Sequence, residues 1–76
     1  MINIFQKRRT KREQLEKETE YLLGYFYLGN EFVFRGIKVY CMGSRRNGTT
    51  NVLVDILLPN GEYVYDLDAR MIIANP

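Results

Sequence analysis

The sequence predicts a mainly β domain, a small five-stranded barrel preceded by one N-terminal α-helix. Three observations carry this expectation. Leu15, Thr19, Leu22 and Phe26 recur at near-helical spacing. From Tyr25 onward, short runs rich in Val, Ile, Tyr and Phe are separated by turns that contain glycine. Asn60-Gly61 lies between two of these runs, in "LLPNGEYVY", and both residues tolerate the positive φ of a type I′ hairpin turn.

Thr10, three residues ahead of Glu13, has the spacing of a capping box, so the helix is expected to start at Lys11. Gly24 is its natural stop, giving a helix over about 11–23 whose narrow apolar stripe suits it to cover one end of a sheet. Residues 1–9 form either a basic arm or, through Ile4 and Phe5, two further helical turns. Residues 10–76 form a single domain, with the barrel over about 25–74. Its strands are read in "YFYLGNEFVF" (one bent strand or two), "GIKVYCM", "NVLVDILL", "EYVYDLD" and "RMIIA". Gly36 suggests a bulge or a sharp bend at a barrel corner. Asn47-Gly48 turns the chain inside a longer loop, "GSRRNGTTN", and "DLDA" reads as one helical turn between the last two strands.

Alternation along "NVLVDILL" puts Val52, Val54, Ile56 and Leu58 on one face and Leu53, Asp55 and Leu57 on the other. Both faces are partly apolar. A barrel interior covers the first, and the second needs the helix or another subunit.

The order of one helix, "GIKVYCM", "NVLVDILL", "EYVYDLDA" and "RMIIANP" resembles Sm-like barrels, including the bacterial Hfq type, and Src-homology-3-like (SH3-like) barrels generally. The resemblance covers about residues 10–74 and implies that architecture. The Hfq type carries a Tyr-Lys-His-Ala stretch at its fourth strand where this chain has "VYDLDA", so the resemblance does not bring that family's uridine-binding pocket with it.

Composition narrows the function classes. With 46% hydrophobic and 26% charged residues, the 76-residue chain has the make-up of an ordinary globular domain. A chain this short buries only about 60% of its unfolded surface. Cys41, the single cysteine, allows no intrachain disulfide or cysteine zinc site, so a homo-oligomer is the expected means of reinforcing so small a core. The lone thiol and the lack of a signal-peptide pattern point to the cytoplasm, and no apolar run nears the roughly 20 residues that span a bilayer.

No histidine is present, which removes the usual general base, metal ligand and nucleophile partner. The glycines lack phosphate-loop spacing. Asp55, Asp66 and Asp68 are the only candidates for a hard cation, and strand-ending and capping roles account for them more simply. No enzyme, cofactor or metal is therefore expected, and Cys41 is expected to be buried and inert.

Charge is distributed in blocks. The net charge of +2 divides into +5 over 1–12, −4 over 13–31, +4 over 32–50 and −3 over 51–76. Lys7, Arg8, Arg9, Lys11, Arg12, Arg45 and Arg46 are candidate phosphate contacts, provided that both clusters lie on one face. Lys38 shares a strand face with Tyr40, the best candidate for an exposed aromatic that stacks a base. The leading expectation is thus a non-enzymatic binding module for nucleic acid or a nucleic-acid-processing complex. The alternative is an adaptor or inhibitor that binds a host or defence enzyme, in the style of small bacteriophage accessory proteins, through barrel edges or the face bearing Leu53, Asp55 and Leu57.

Overall fold

The computed structural model describes residues 11–76. Thr10, the basic residues Lys7, Arg8 and Arg9, and the choice between arm and longer helix lie outside the described residues. Helix α1 spans Lys11–Tyr25, and strands β1 (Glu31–Phe34), β2 (Ile37–Asn47), β3 (Asn51–Leu57) and β4 (Tyr63–Asp68) follow, then helix α2 (Ala69–Ala74). The four described strands form one open antiparallel sheet in the order β1-β2-β3-β4. The mainly β character holds, whereas the fifth strand and the closed barrel give way to an open meander.

Two segments account for that difference. "YFYLGN" does not extend β1, because α1 runs past Gly24 and the Phe26 N–H still bonds the Leu22 carbonyl at 2.9 Å. The Asn30 side chain then donates to the Tyr25 carbonyl at 2.7 Å, ending the helix. At the other end, "RMIIA" is helical. Asp68 is extended (φ −67°, ψ 124°) and its carboxylate accepts the Arg70 N–H at 2.8 Å, an N-cap that starts α2. Ala69 and Ile72, three apart, are buried together, so helical spacing outweighs the β preference of the Ile72-Ile73 pair. Of "DLDA", Asp66, Leu67 and Asp68 thus end β4 rather than forming a helical turn, and Ala69 alone is helical, as the first residue of α2. Asp68→Ala is expected to cost about 1 kcal/mol, read as a lower urea midpoint at unchanged slope.

The turns also differ in kind from those expected. The two-residue link between Phe34 and Ile37 puts both Arg35 (φ 50°) and Gly36 (φ 77°) in the left-handed region, the pattern of a type I′ hairpin. At Asn60-Gly61 only Gly61 has positive φ, and the bonds Gly61 N–H to Leu58 O and Leu58 N–H to Glu62 O define a three-residue loop with a glycine bulge. β2 runs on through Arg45 and Arg46 to pair Asn47 with Asn51, so the long loop shrinks to residues 48–50.

The core lies on one side of the sheet. Val39, Cys41, Val52, Val54 and Ile56 pack against Leu22 and Phe26 of the α1 region and Ala69 and Ile72 of α2. Thr19, the single buried polar side chain among the described residues, donates its hydroxyl to the Leu15 carbonyl at 2.7 Å. The apolar stripe of α1 and the first face of β3 are therefore partners. The helices cover the face expected inside a barrel, and among the described residues no element covers the face bearing Leu53, Asp55 and Leu57.

Candidate functional site: an uncovered aromatic sheet face

Strand register fixes what this second face carries. Lys38 lies opposite Val33, Tyr40 opposite both Glu31 and Leu57, Leu57 opposite Tyr63, Gly43 opposite Asp55, and Arg45 opposite Leu53. A central band of Tyr40, Leu57 and Tyr63 is thus flanked by Lys38, Glu31 and Val33 at one end and by Arg45 and Asp55 at the other. Tyr40, Tyr63 and Tyr65 are 44%, 50% and 63% exposed, and the rings of Tyr63 and Tyr65 stack at 6.0 Å with an interplanar angle of 11°. Met42, the extra residue of the bulge between Cys41 and Gly43, is also exposed.

Simple alternation puts Asp66 on the face away from Tyr63 and Tyr65. A second irregularity, between Val54 and Ile56 in the pairing of β3 with β4, overturns this. Asp66 takes φ 60°, its N–H donates to Asp55 Oδ1 at 3.0 Å, and its carboxylate reaches Arg45. Arg45 also donates to Asp55 Oδ2 at 3.0 Å. One guanidinium therefore holds two carboxylates.

At the opposite end the Lys38 ammonium sits 2.6 Å from the Glu31 carboxylate. The hydrogen bond from Lys38 is the main reason that the Glu31 carboxyl lies below its ordinary range, and the same bond raises Lys38. Both cations of this face are consequently already paired. Counting Asp68, which lies opposite Leu53, the face carries more carboxylates than cations.

The sequence-derived candidates separate across the sheet. Lys11 and Arg12 open α1, which packs on the covered face, and Arg12 pairs with Glu16 at 3.3 Å. Lys38, Tyr40 and Arg45 belong to the uncovered face. Arg46 alternates to the other side at the end of β2, where it donates to the Thr49 carbonyl at 3.5 Å. Arg45 and Arg46 are thus strand residues rather than loop residues, and the described basic residues do not share one face. Residues 11–76 hold all nine acids but eight of the eleven bases.

Asp68 caps α2, while Asp55 and Asp66 engage Arg45. No cluster of three metal-ligating side chains occurs among the described residues. Cys41 is fully buried, and desolvation pushes its thiol up, away from the reactive thiolate. No described helix is long and apolar enough to cross a membrane.

A groove of about 430 Å³ between α1, β1 and α2 is lined by Tyr21, Tyr25, Phe32, Ile73, Pro76 and their neighbours. It has no charged side chain to orient a polar substrate.

Tyr63 and Tyr65 are site residues that the sequence does not single out. Their two-residue spacing was visible, but which face the helices cover was not. No family model matches the chain, and neither the curated proteins nor the solved structures yield a match.

Proposed function

We propose that this chain is a non-enzymatic binding module that docks a protein partner on its uncovered sheet face. The observation that carries this reading is an exposed band of tyrosines around Leu57 whose neighbouring cations are already neutralised. Tyrosine and methionine are the residues that protein interfaces favour at their centres, where unpaired charge is depleted. A polyanion needs free Lys and Arg, and this face offers an excess of carboxylates instead. Docking by the sheet edges is disfavoured. The bulge at Asp66 interrupts β4, and β1 is only four residues long, with the adjoining Arg35 N–H bonded to the Asn75 carbonyl at 2.8 Å. The single buried thiol of Cys41 supports a reducing, cytoplasmic setting.

The exposed tyrosines also suit base stacking, so the nucleic-acid reading is tested directly. Labelled single-stranded and duplex DNA and RNA are titrated across a salt series. Any binding at low salt should disappear when Lys7, Arg8, Arg9, Lys11 and Arg12 become Ala, and Tyr63→Ala with Tyr65→Ala should leave it unchanged. A loss of tenfold or more in the tyrosine variant, the size expected for stacked bases, would make the face a nucleic-acid platform and end the protein-docking reading.

A further inference from the structure

We infer that the partner this face fits is a second copy of the same chain, packed face to face across a two-fold axis. The inference rests on the protein-docking reading and names its partner. Three features support it.

Charge is confined to one end of the face, so the face need not repel its own copy. An isologous interface sets the same patch against itself, so a face of one sign would repel its copy. Here the acidic surplus of Asp55, Asp66 and Asp68 around Arg45 lies at one end of the aromatic band, and the mutually neutralised Lys38–Glu31 pair lies at the other. A two-fold axis through the band, lying in the plane between the two sheets and perpendicular to their strands, lays the acidic end of each copy over the neutral Lys38–Glu31 end of its mate, so that the two acidic ends do not meet. The band itself meets its own copy, Tyr40, Leu57 and Tyr63 against the same residues.

Area is sufficient. Four strands about 4.8 Å apart and roughly seven residues long project on the order of 400 Å². Side chains standing off that outline expose more, so two copies bury on the order of 1,000 Å² together, the lower bound for a specific interface. The resulting two-layer packing is that of an aligned sandwich, with sheets about 10 Å apart.

Need points the same way. Nine buried apolar residues, with six half-buried ones packed against them, form the core of the described domain, and domains of this size commonly gain stability by oligomerising. Burying the second face doubles the number of covered layers without a new element.

Sedimentation equilibrium across a wide concentration range tests the inference. The wild-type chain should behave as a dimer. Tyr63→Lys with Tyr65→Lys should raise its dissociation constant at least about 30-fold, with a circular dichroism spectrum matching the wild type. Both positions are exposed, so the fold is expected to tolerate the change, and Val33→Lys at the far edge of the face gives a second variant with the same expected direction. A monomer at every concentration overturns the inference, as does a dimer that both variants leave intact. Neither result touches the docking reading, which the tyrosine dependence of polynucleotide binding decides separately.

Discussion

Phe26→Ala is expected to cost about 3–5 kcal/mol and to leave the chain largely unfolded at 37 °C. Phe26 is fully buried just past the end of α1, where helix and sheet meet. Its ring meets Tyr25 edge-on at 4.9 Å and Phe32 edge-on at 5.1 Å, so it joins the helix end to β1. Truncation removes the largest of the fully buried side chains from a core of nine. A single core in a domain this small supplies only about 3–5 kcal/mol in all, so the loss and the total stability are of similar size. Phe26→Leu keeps most of the volume and should cost roughly 1.5 kcal/mol or less, remaining folded. Urea titration followed by circular dichroism separates these outcomes. An Ala variant within 1 kcal/mol of wild type would mean that Phe26 does not fill the core as described.

The second large effect is expected at Arg70. Its guanidinium donates to the Thr50 carbonyl at 2.6 Å, to the Leu15 carbonyl at 3.5 Å and to Glu18 Oε2 at 3.4 Å. One side chain therefore ties α2 to the β2–β3 turn and to α1, across 20 and 55 residues of sequence. The bond to Thr50 is short, charge-assisted and part-buried, whereas Glu18 is well exposed and its pairing is screened. Arg70→Ala should cost about 2 kcal/mol, nearly all from the carbonyl contacts. Arg70→Lys should recover less than half, because a single ammonium cannot reproduce the guanidinium fork. Raising NaCl to about 0.5 M should leave the deficit in place, since screening acts mainly on the exposed ion pair. A deficit that disappears in salt would reassign the role of Arg70 to Glu18 alone.

Local chemistry was legible in the sequence, and the choice of partner for each face was not. The stripe of Thr19, Leu22 and Phe26 with Leu15 half-buried beside it, the alternation of Val52, Val54 and Ile56, and the burial of Cys41 follow from spacing, and the structure has them so. The capping role of Asp68 follows from its residue type, but "RMIIA" offers β-branched residues at strand length, and periodicity cannot separate a short buried helix from a strand. That one ambiguity turned an open sheet into an expected barrel. With the barrel gone, the helices take the face a barrel would have closed around, and Tyr63 and Tyr65 face outward. The place of Arg45 is hidden for a similar reason. "GSRRNGTTN" looks like a loop by composition, yet β2 continues through it, because the hairpin closes at Gly48 and Arg45 finds Asp55 and Asp66 across the sheet. Left-handed Asp66, on which that ion cluster depends, has no signature in the local sequence.

The central claim is that the uncovered sheet face meets a second copy of itself, and an isotope-filtered NOE experiment on a one-to-one mixture of labelled and unlabelled chain tests it most directly. Intermolecular contacts are expected among Tyr40, Leu57, Tyr63 and Tyr65. Contacts arising instead from Tyr21, Tyr25 and Ile73 on the helical side, or no intermolecular contacts at all, would contradict it.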